Sequence, residues 1–217
     1  MTTLVKICGV TTLDDAQLAV EAGADYLGFN FYKGSSRYIA PLDARRIIAQ
    51  LPKSVISVGV FVNQETPLDV TRLAEQAQVQ AVQLHGSETP AYCQSVNHPF
   101  VIKALRVGDA WQPEEMARYK VDAVLLDAYH RSAFGGTGQV FDWSVAERAG
   151  GLVSKLFLAG GLIPSNVAEA IRRVRPFAVD VCSGVEVEPG RKDAKRVQSF
   201  VREVRAAAVE MKLTDEP

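Results

Sequence analysis

Residues 4–31 read LVKICGVTTLDDAQLAVEAGADYLGFNF, and this stretch decides the fold because it contains one complete strand–helix–strand unit. LVKIC and YLGFNF are short runs rich in β-branched and aromatic residues, which is typical of buried strands. Between them TLDDAQLAVEA has apolar residues at helical spacing, Thr12 is suited to cap its start, and Gly23 ends it. The stretch therefore predicts a helix that connects two strands.

The same alternation continues along nearly the whole chain. Eight such runs recur roughly 25 residues apart, a spacing typical of βα units. The other six are SVISVGVF (54–61), AVQLHG (81–86), FVIKALRV (100–107), AVLLDAY (123–129), KLFLAGG (155–161) and AVDVCSG (178–184). This repeat predicts an α/β protein with a single (β/α)8 TIM barrel over residues 1–210 and a flexible tail at 211–217. A doubly wound open sheet is the alternative, but it usually needs fewer strands, and no GxGxxG follows the first run.

Helical patterns fill the spaces between the runs. TPAYCQSV (89–96) is a short one, and EEMARYK (114–120) is a further expected helix. In IPSNVAEAIRRV (163–174), Pro164 suits the first turn of the helix. These connections complete the eight predicted strand–helix pairs.

Composition excludes several classes of protein. The 217 residues are 47% hydrophobic and 23% charged with a formal net charge of −1, which suits an ordinary soluble chain and argues against a nucleic-acid partner. The apolar runs are too short and polar to span a bilayer, and the N-terminus lacks the pattern of a signal peptide. Cys8, Cys93 and Cys182 are far apart and form no CxxC pair, so we expect a reducing, cytoplasmic location and no membrane partner.

Polar residues recur at the ends of the predicted strands, where TIM barrels carry their active sites. The runs end at or near Cys8, His85, Arg106, Asp127 and Asp180. Alternate residues of a strand face the same way, so Lys6 shares a face with Cys8. Each residue alone has a simpler explanation, such as a buried thiol or a carboxylate that caps a turn. Together they predict functional groups that converge on one mouth of the barrel.

Glycine-rich segments end the last two predicted strands. LAGGL (158–162) and CSGVE (182–186) occupy the positions where many barrels bind phosphate through backbone N–H groups and a helix N-terminus. The expected phosphate-binding residues are Gly160, Gly161, Ser183 and Gly184. Two glycine turns without a ligand are the alternative. The three histidines, His85, His98 and His130, lack the spacing of metal ligands, so no metal is expected.

Seven motifs in one order cover nearly the whole chain. They are KICGVT (6–11), VGVFVN (58–63), QLHG (83–86), LLDA (125–128), GGTG..FDW (135–143), LAGGL.P.NV (158–167) and SGVE..PG.KD (183–193). Each motif alone is weak, but the ordered set closely resembles the phosphoribosylanthranilate isomerases of tryptophan biosynthesis. The resemblance implies a (β/α)8 barrel. It also implies an aldose–ketose isomerisation, the Amadori rearrangement of N-(5-phosphoribosyl)anthranilate to 1-(2-carboxyphenylamino)-1-deoxyribulose 5-phosphate.

The resemblance also implies roles for individual residues. Cys8 stands where the family has its general base, and Asp127 where it has its general acid. Arg37, in GSSR (34–37), takes the place of the arginine that binds the anthranilate carboxylate, although the family usually has S-P-R there. Cys182 in DVCSG replaces the family's usual serine. GGTG (135–138), in the loop after the sixth strand, suits a mobile lid, with a linker that has no gating role as the alternative.

The implied reaction needs one acid and one base and no redox change, so we expect no cofactor. Cys8 has to act as a thiolate, and Lys6 on the same strand face is expected to favour that form. His85, Arg106 and Asp180 are expected to support the site. The partner is a small phosphoribosyl substrate, and the oligomeric state is left open between monomer and homodimer.

Three other interpretations compete with this one. An indole-3-glycerol-phosphate synthase needs a catalytic lysine and glutamates at strand ends. A sugar-phosphate epimerase needs a metal-binding set of His and Asp residues, which is missing here. A non-catalytic barrel that binds phosphoribosyl ligands is the alternative from another class, and the joint presence of Cys8 and Asp127 argues against it.

Overall fold

Eight parallel strands form a closed barrel in chain order in the computed structural model, which describes residues 2–108, 111–128, 143–149 and 151–215. The strands are β1 (Leu4–Cys8), β2 (Tyr26–Asn30), β3 (Ile56–Phe61), β4 (Ala81–Leu84), β5 (Val101–Val107), β6 (Ala123–Ala128), β7 (Leu156–Ala159) and β8 (Ala178–Val181). β1 pairs with β2 on one side and with β8 on the other, so the barrel strands leave no open edge. The predicted TIM barrel is confirmed, and the open-sheet alternative is wrong.

Helices follow the strands and pack on the outside of the barrel. They are α1 (Leu13–Ala22), α2 (Pro41–Ile48), α3 (Pro67–Ala77), α4 (Pro90–Ser95), α5 (Ser144–Ala149), α6 (Val167–Val174) and α7 (Ala194–Asp215). The start of α1 is capped by Thr12, whose hydroxyl accepts a hydrogen bond from the backbone N–H of Asp15, and Gly23 ends the helix in the left-handed conformation. The first βα unit therefore forms as its sequence predicts.

Two helical segments differ from expectation. Residues 114–120 do not form an α-helix, because bonds such as Tyr119 N–H to Met116 O close the tighter turns of a 3₁₀ helix over Pro113–Arg118. α6 begins at Val167, so Pro164 lies in the preceding turn. The Asn166 side chain organises that turn, since it accepts from the N–H of Ile163 and donates to the carbonyl of Gly161.

The barrel interior is filled mainly by apolar side chains from alternate strand positions. They are Tyr26, Val58, Ala81, Ile102, Ala104, Ala123, Leu125, Phe157, Ala159 and Ala178. A larger apolar cluster fills the space between strands and helices, where each fully buried large aliphatic side chain contributes about 1.5–3 kcal/mol. Lys6, Gln83 and Asp180 interrupt the apolar interior, and all three are buried.

After β8 the chain forms a small structure that the periodicity did not predict. A 3₁₀ turn, Ser183–Val185, leads into an antiparallel pair of short strands, β9 (Glu186–Glu188) and β10 (Arg191–Lys192). The register sets Lys192 opposite Glu186, and both side chains are buried. The hairpin therefore carries two charged groups toward the mouth of the barrel.

α7 continues past residue 210, and the flexibility of 211–217 stays a prediction. No helix in the described part of the chain is both long enough and apolar enough to cross a membrane. His130 and the GGTG segment (135–138), with its predicted role as a lid, lie outside the described residues.

Candidate active site

A cavity of about 680 Å³ is lined by residues at and just beyond the C-terminal ends of the strands, and its volume is in the usual range for small-molecule sites. All of the predicted site residues except Lys6 line it, namely Cys8, Arg37, His85, Arg106, Asp127, Gly160, Gly161, Asp180, Ser183 and Gly184. Lys6 is fully buried inside the barrel. The structure thus brings the predicted groups together at one end of the barrel.

Lys6 and Asp180 form a buried ion pair between β1 and β8. Nζ of Lys6 lies 2.9 Å from each carboxylate oxygen of Asp180. Burial disfavours the charge on Lys6, but Asp180 and Cys8 outweigh burial and raise the pKa of the ammonium group. Burial raises the pKa of Asp180 to about 6, which is still below neutral pH. Both partners are therefore ionised at pH 7, and Lys6 is a fixed positive charge on the face that carries Cys8.

The thiol of Cys8 is strongly acidified. A hydrogen bond from Cys182 lowers its pKa most, burial opposes this, and the positive charges of Lys6 and Lys192 lower it further, so the pKa lies well below the ordinary value. The same interaction, together with burial, raises the pKa of Cys182, which therefore keeps its proton. Sγ of Cys182 also lies 3.8 Å from Oε1 of Glu186, to which it can donate. This arrangement favours a Cys8 thiolate at neutral pH.

Arg37 is held by Glu186 at the edge of the cavity. Nε of Arg37 lies 2.9 Å from Oε1 of Glu186, and Nη2 donates to Oε2. Lys192 also donates to Glu186, at 2.8 Å, and to the carbonyl of Cys8. Burial would raise the pKa of Glu186, but hydrogen bonds from Arg37 and Lys192 hold it at about 2. The edge of the Arg37 guanidinium formed by Nε and Nη2 is thereby fixed, and its Nη1 makes no hydrogen bond to another described residue.

Asp127 on β6 is the last member of a series of hydrogen bonds that begins at Gln83 on β4 and passes through His85. Nε2 of Gln83 lies 2.7 Å from Nδ1 of His85, and Nε2 of His85 lies 3.1 Å from Oδ2 of Asp127. With the Gln83 amide in this orientation, its nitrogen donates to Nδ1, so the ring proton is on Nε2, which donates to Asp127. Oε1 of Gln83 is then buried without a hydrogen-bond partner among the described residues. Asp127 is 32% exposed in its side chain and keeps Oδ1 without a partner among the described residues.

Arg106 is opposite Asp127 in the pairing of β5 with β6. Its side chain is exposed and forms no ion pair with any residue that the structure describes. It therefore presents an available positive charge at the cavity wall.

The loops after β7 and β8 contact each other and together form one wall of the cavity. Gly160 and Gly161 both have left-handed backbones, with φ of 83° and 67°, which a side chain would strain. A Cβ on Gly184 would lie 2.0 Å from the carbonyl oxygen of Leu162, so only glycine permits this approach of the two loops. Backbone groups of both loops thus line the cavity beside Ser183.

Within the described ranges, no group of three or more His, Cys, Asp or Glu side chains is arranged to hold a metal ion. His98 contacts backbone carbonyls away from the cavity. His85 is engaged by Gln83 and Asp127 in the chain described above.

Comparison with known families agrees with the motif order. Residues 5–203 match the family model described as N-(5'phosphoribosyl)anthranilate (PRA) isomerase. The chain belongs to this family.

Individual phosphoribosylanthranilate isomerases match over nearly their full length. The protein from Trichlorobacter lovleyi is 52% identical over 203 residues, which cover 94% of this chain and 98% of that protein. A crystal structure of a family member in complex with reduced 1-(o-carboxyphenylamino)-1-deoxyribulose 5-phosphate is 42% identical, has a TM-score of 0.81, and is matched over 94% of this chain and all of that one. A structure of monomers generated from the dimeric Thermotoga maritima enzyme is 43% identical, with a TM-score of 0.83 and coverage of 94% and 98%.

Three residues at this isomerase site were missed as functional residues by sequence reasoning: Gln83, Glu186 and Lys192. All three stand inside the family motifs QLHG and SGVE..PG.KD, which was the available signal. The motifs did not reveal their partners, because Arg37 and Glu186 are 149 residues apart in the chain and meet only when the barrel closes.

Proposed function

We propose that this protein catalyses the Amadori rearrangement of N-(5′-phosphoribosyl)anthranilate to 1-(2-carboxyphenylamino)-1-deoxyribulose 5-phosphate in L-tryptophan biosynthesis. One structural observation supports the proposal in addition to family membership. The acidified thiol of Cys8 and the His85-bound carboxyl of Asp127 line one cavity, which also contains a fixed arginine and two glycine loops. An acid, a base and binding groups for both ends of the substrate are what this reaction requires.

Asp127 is the proposed general acid. It donates a proton to the ring oxygen of the ribose while the lone pair of the aniline nitrogen forms the iminium ion, and the C1′–O bond breaks. His85 acts through Asp127 as a positioning residue, because its Nε2–H binds Oδ2 and leaves Oδ1 to carry the proton. β1 and β6, which carry Cys8 and Asp127, are separated by β7 and β8 along the shorter path around the barrel. This separation leaves room for a sugar between the two groups.

Cys8 is the proposed general base. Its thiolate removes the proton from C2′ of the iminium ion, which gives an enolamine that tautomerises to the ketone. Lys6 stabilises the thiolate before the reaction, and Cys182 donates a hydrogen bond to it. The positive iminium ion further favours removal of the proton. Acid and base catalysis of this kind each contribute about 10²–10⁴-fold to a rate.

The two ends of the substrate give affinity. We assign the anthranilate carboxylate to Arg37, whose Nε and Nη2 are held by Glu186 while Nη1 is available. We assign the phosphate to the loops that contain Gly160, Gly161, Ser183 and Gly184, whose backbone geometry allows close approach of an anion. Arg106 adds positive charge to the wall beside Asp127. These assignments place the ribose between Cys8 and Asp127.

The remaining expectations follow from this chemistry. The rearrangement changes no net oxidation state and uses the substrate's own nitrogen as the electron donor, so it requires no cofactor. The three cysteines are free thiols in the structure, which supports a cytoplasmic location. The dimeric Thermotoga maritima relative supports a homodimer as one of the two expected oligomeric states.

The test is turnover of N-(5-phosphoribosyl)anthranilate by the purified protein, with the product identified by chromatography, and growth of a tryptophan auxotroph that lacks the isomerase. We expect turnover and growth, and the Asp127→Asn protein should fail in both assays. Binding of the product analogue without turnover in either assay would instead identify a non-catalytic phosphoribosyl-binding barrel.

A further inference from the structure

Cys8 and Cys182 are neighbours across the seam that closes the barrel. The register of β1 with β8 pairs Lys6 with Asp180 and Ile7 with Val181, and Cys8 and Cys182 are the residues that follow these last two partners. Adjacent strands lie about 4.8 Å apart, which is within the range of about 4.4–6.8 Å between the Cα atoms of a disulfide. Strand parity turns both side chains to the interior face, as it does for Lys6 and Asp180.

The two thiols lie beside each other and are accessible from the cavity. Both residues line it and are partly exposed, and a Cβ on Gly9, the residue after Cys8, would lie 2.9 Å from Sγ of Cys182. A small oxidant that enters the cavity therefore reaches both thiols without any opening of the barrel.

We propose that Cys8 and Cys182 form a redox pair, in which a hydroperoxide converts the two thiols to an intramolecular disulfide and a dithiol reductant restores them. The inference rests on the proposed function of Cys8 as general base in one respect only, namely that the disulfide removes this base and stops the isomerase. The disulfide itself is detected independently of activity.

The proposed chemistry balances in two steps. The Cys8 thiolate attacks one oxygen of hydrogen peroxide, the O–O bond breaks, and the other oxygen leaves as water after taking a proton, which produces a sulfenic acid. The sulfur of Cys182 then attacks the sulfenic sulfur, the S–S bond forms, and hydroxide leaves as water with the proton from Cys182. In total two thiols and one peroxide give one disulfide and two waters.

The electrostatics of the site suit both steps. Lys6 and Lys192 favour the Cys8 thiolate, which is the form that reacts with peroxide. The pKa of Cys182 is raised by its hydrogen bond to Cys8, by burial and by the charge of Cys8, while Lys192 and Arg37 lower it. Conversion of Cys8 to neutral sulfenic acid removes the effect of its charge, so the second thiol becomes easier to ionise once the first step is complete.

Cys93 provides a matched control. It lies on α4, its thiol is buried, and burial raises its pKa to about 11, which disfavours the reactive thiolate. Its sulfur contacts the carbonyl of Glu88, and it does not line the cavity. Replacement of Cys93 by alanine leaves the proposed redox pair in place.

The experiment compares the wild type, Cys182→Ser and Cys93→Ala after treatment with hydrogen peroxide, blocking of free thiols and mass spectrometry of unreduced peptides. In the wild type and Cys93→Ala we expect a Cys8–Cys182 crosslinked peptide two hydrogen atoms lighter than the two thiols. Activity should fall by about 10²-fold or more and recover fully in dithiothreitol. In Cys182→Ser we expect no crosslinked peptide and a sulfinic acid on Cys8. Its isomerase activity, compared with that of the same variant before treatment, should fall and should not recover in dithiothreitol.

Absence of the crosslink in the wild type, or equal recovery of the wild type and Cys182→Ser, overturns the redox pair and leaves the proposed isomerase function intact. A complete crosslink with undiminished isomerase activity overturns both the proposed inactivation by the disulfide and the assignment of Cys8 as general base. Mass spectrometry and turnover together therefore separate failure of this inference from failure of the proposed function.

Discussion

Lys6 and Asp180 form a closed, two-oxygen ion pair inside the barrel, with 2.9 Å from the ammonium nitrogen to each carboxylate oxygen and almost no exposure of either side chain. The pair lies on the interior face of β1 and β8, and each partner stands two residues before a cysteine, Lys6 before Cys8 and Asp180 before Cys182. It therefore sets a positive charge close to the thiol of Cys8, where the charge favours the thiolate.

Replacement of Lys6 by methionine should shift the acid side of the pH profile of kcat/KM to higher pH by about one to three units, because the thiolate loses a nearby positive charge. Stability should also fall by about 3–5 kcal/mol, because Asp180 is left buried without its partner. Lys103→Met is the control, since Lys103 forms another buried pair, with Glu88 at 2.6 Å, and does not line the cavity. Lys103→Met should lose similar stability without a shift of the profile; the same shift in both variants would contradict the role of Lys6.

Replacement of Cys8 by serine should lower kcat by about 10²–10⁴-fold, because an alcohol is a far weaker base in its neutral form than a thiolate. Affinity for the reduced product analogue, measured by calorimetry, should stay within a few-fold of the wild type, since Arg37 and the glycine loops are unchanged. Weak binding combined with normal turnover of bound substrate would rule out Cys8 as the base.

Replacement of Asp127 by asparagine should lower kcat by a similar factor, because an amide does not protonate the ring oxygen. His85→Ala should cause a smaller loss, mainly in kcat, since the carboxyl remains but loses the Nε2–H that orients it. Steady-state kinetics of the two variants provide the check. A His85→Ala defect confined to KM would mean that His85 binds substrate and does not position Asp127.

Replacement of Glu186 by glutamine should destabilise the fold by about 1–3 kcal/mol at pH 7, because Arg37 and Lys192 lose a charged acceptor. The pKa of Glu186 is about 2 in the folded protein, below its ordinary value of 4.5, so its contribution is complete above pH 4.5 and is lost as the pH falls from 4.5 toward 2. Urea unfolding should therefore show a difference between wild type and variant that narrows between pH 5 and pH 3.

The matched control for that change is Glu188→Gln on the same strand, β9. Glu188 is 64% exposed and pairs with Arg191 at the surface, so the substitution should change stability by about 0.5 kcal/mol or less at either pH. A difference between wild type and Glu186→Gln that stays constant with pH would show that ionisation of Glu186 does not stabilise the fold.

Replacement of Gly184 by alanine should raise KM by about tenfold or more and weaken inhibition by inorganic phosphate, because the new Cβ forces the loops after β7 and β8 apart at Leu162. Gly151→Ala is the control, since a Cβ there meets no atom of the described residues within 4 Å. Unchanged phosphate inhibition in Gly184→Ala would move the phosphate site away from these loops.

The sequence by itself determined the barrel and the end of it that carries the site. Strand runs with helical segments between them repeat along the chain, and each local choice, such as the Thr12 cap of α1, agrees with the global fold. Strand ends and side-chain parity are local properties, so they also predicted that Cys8, His85 and Asp127 line one cavity. The sequence did not predict the 3₁₀ helix at Pro113–Arg118, because the spacing of apolar residues over so short a segment does not distinguish a 3₁₀ helix from an α-helix.

Only the tertiary structure decided which of these groups touch. Lys6 meets Asp180 across 174 residues of chain, and Arg37 meets Glu186 across 149, because closure of β1 onto β8 and the hairpin after β8 bring them together. Cys182 stands out in the sequence only as a departure from a motif, and the pairing of β8 with β1 brings it close to Cys8. Charge, burial and hydrogen bonding of a thiol depend on such long-range contacts, and for that reason the acidity of Cys8 is a property of the closed barrel.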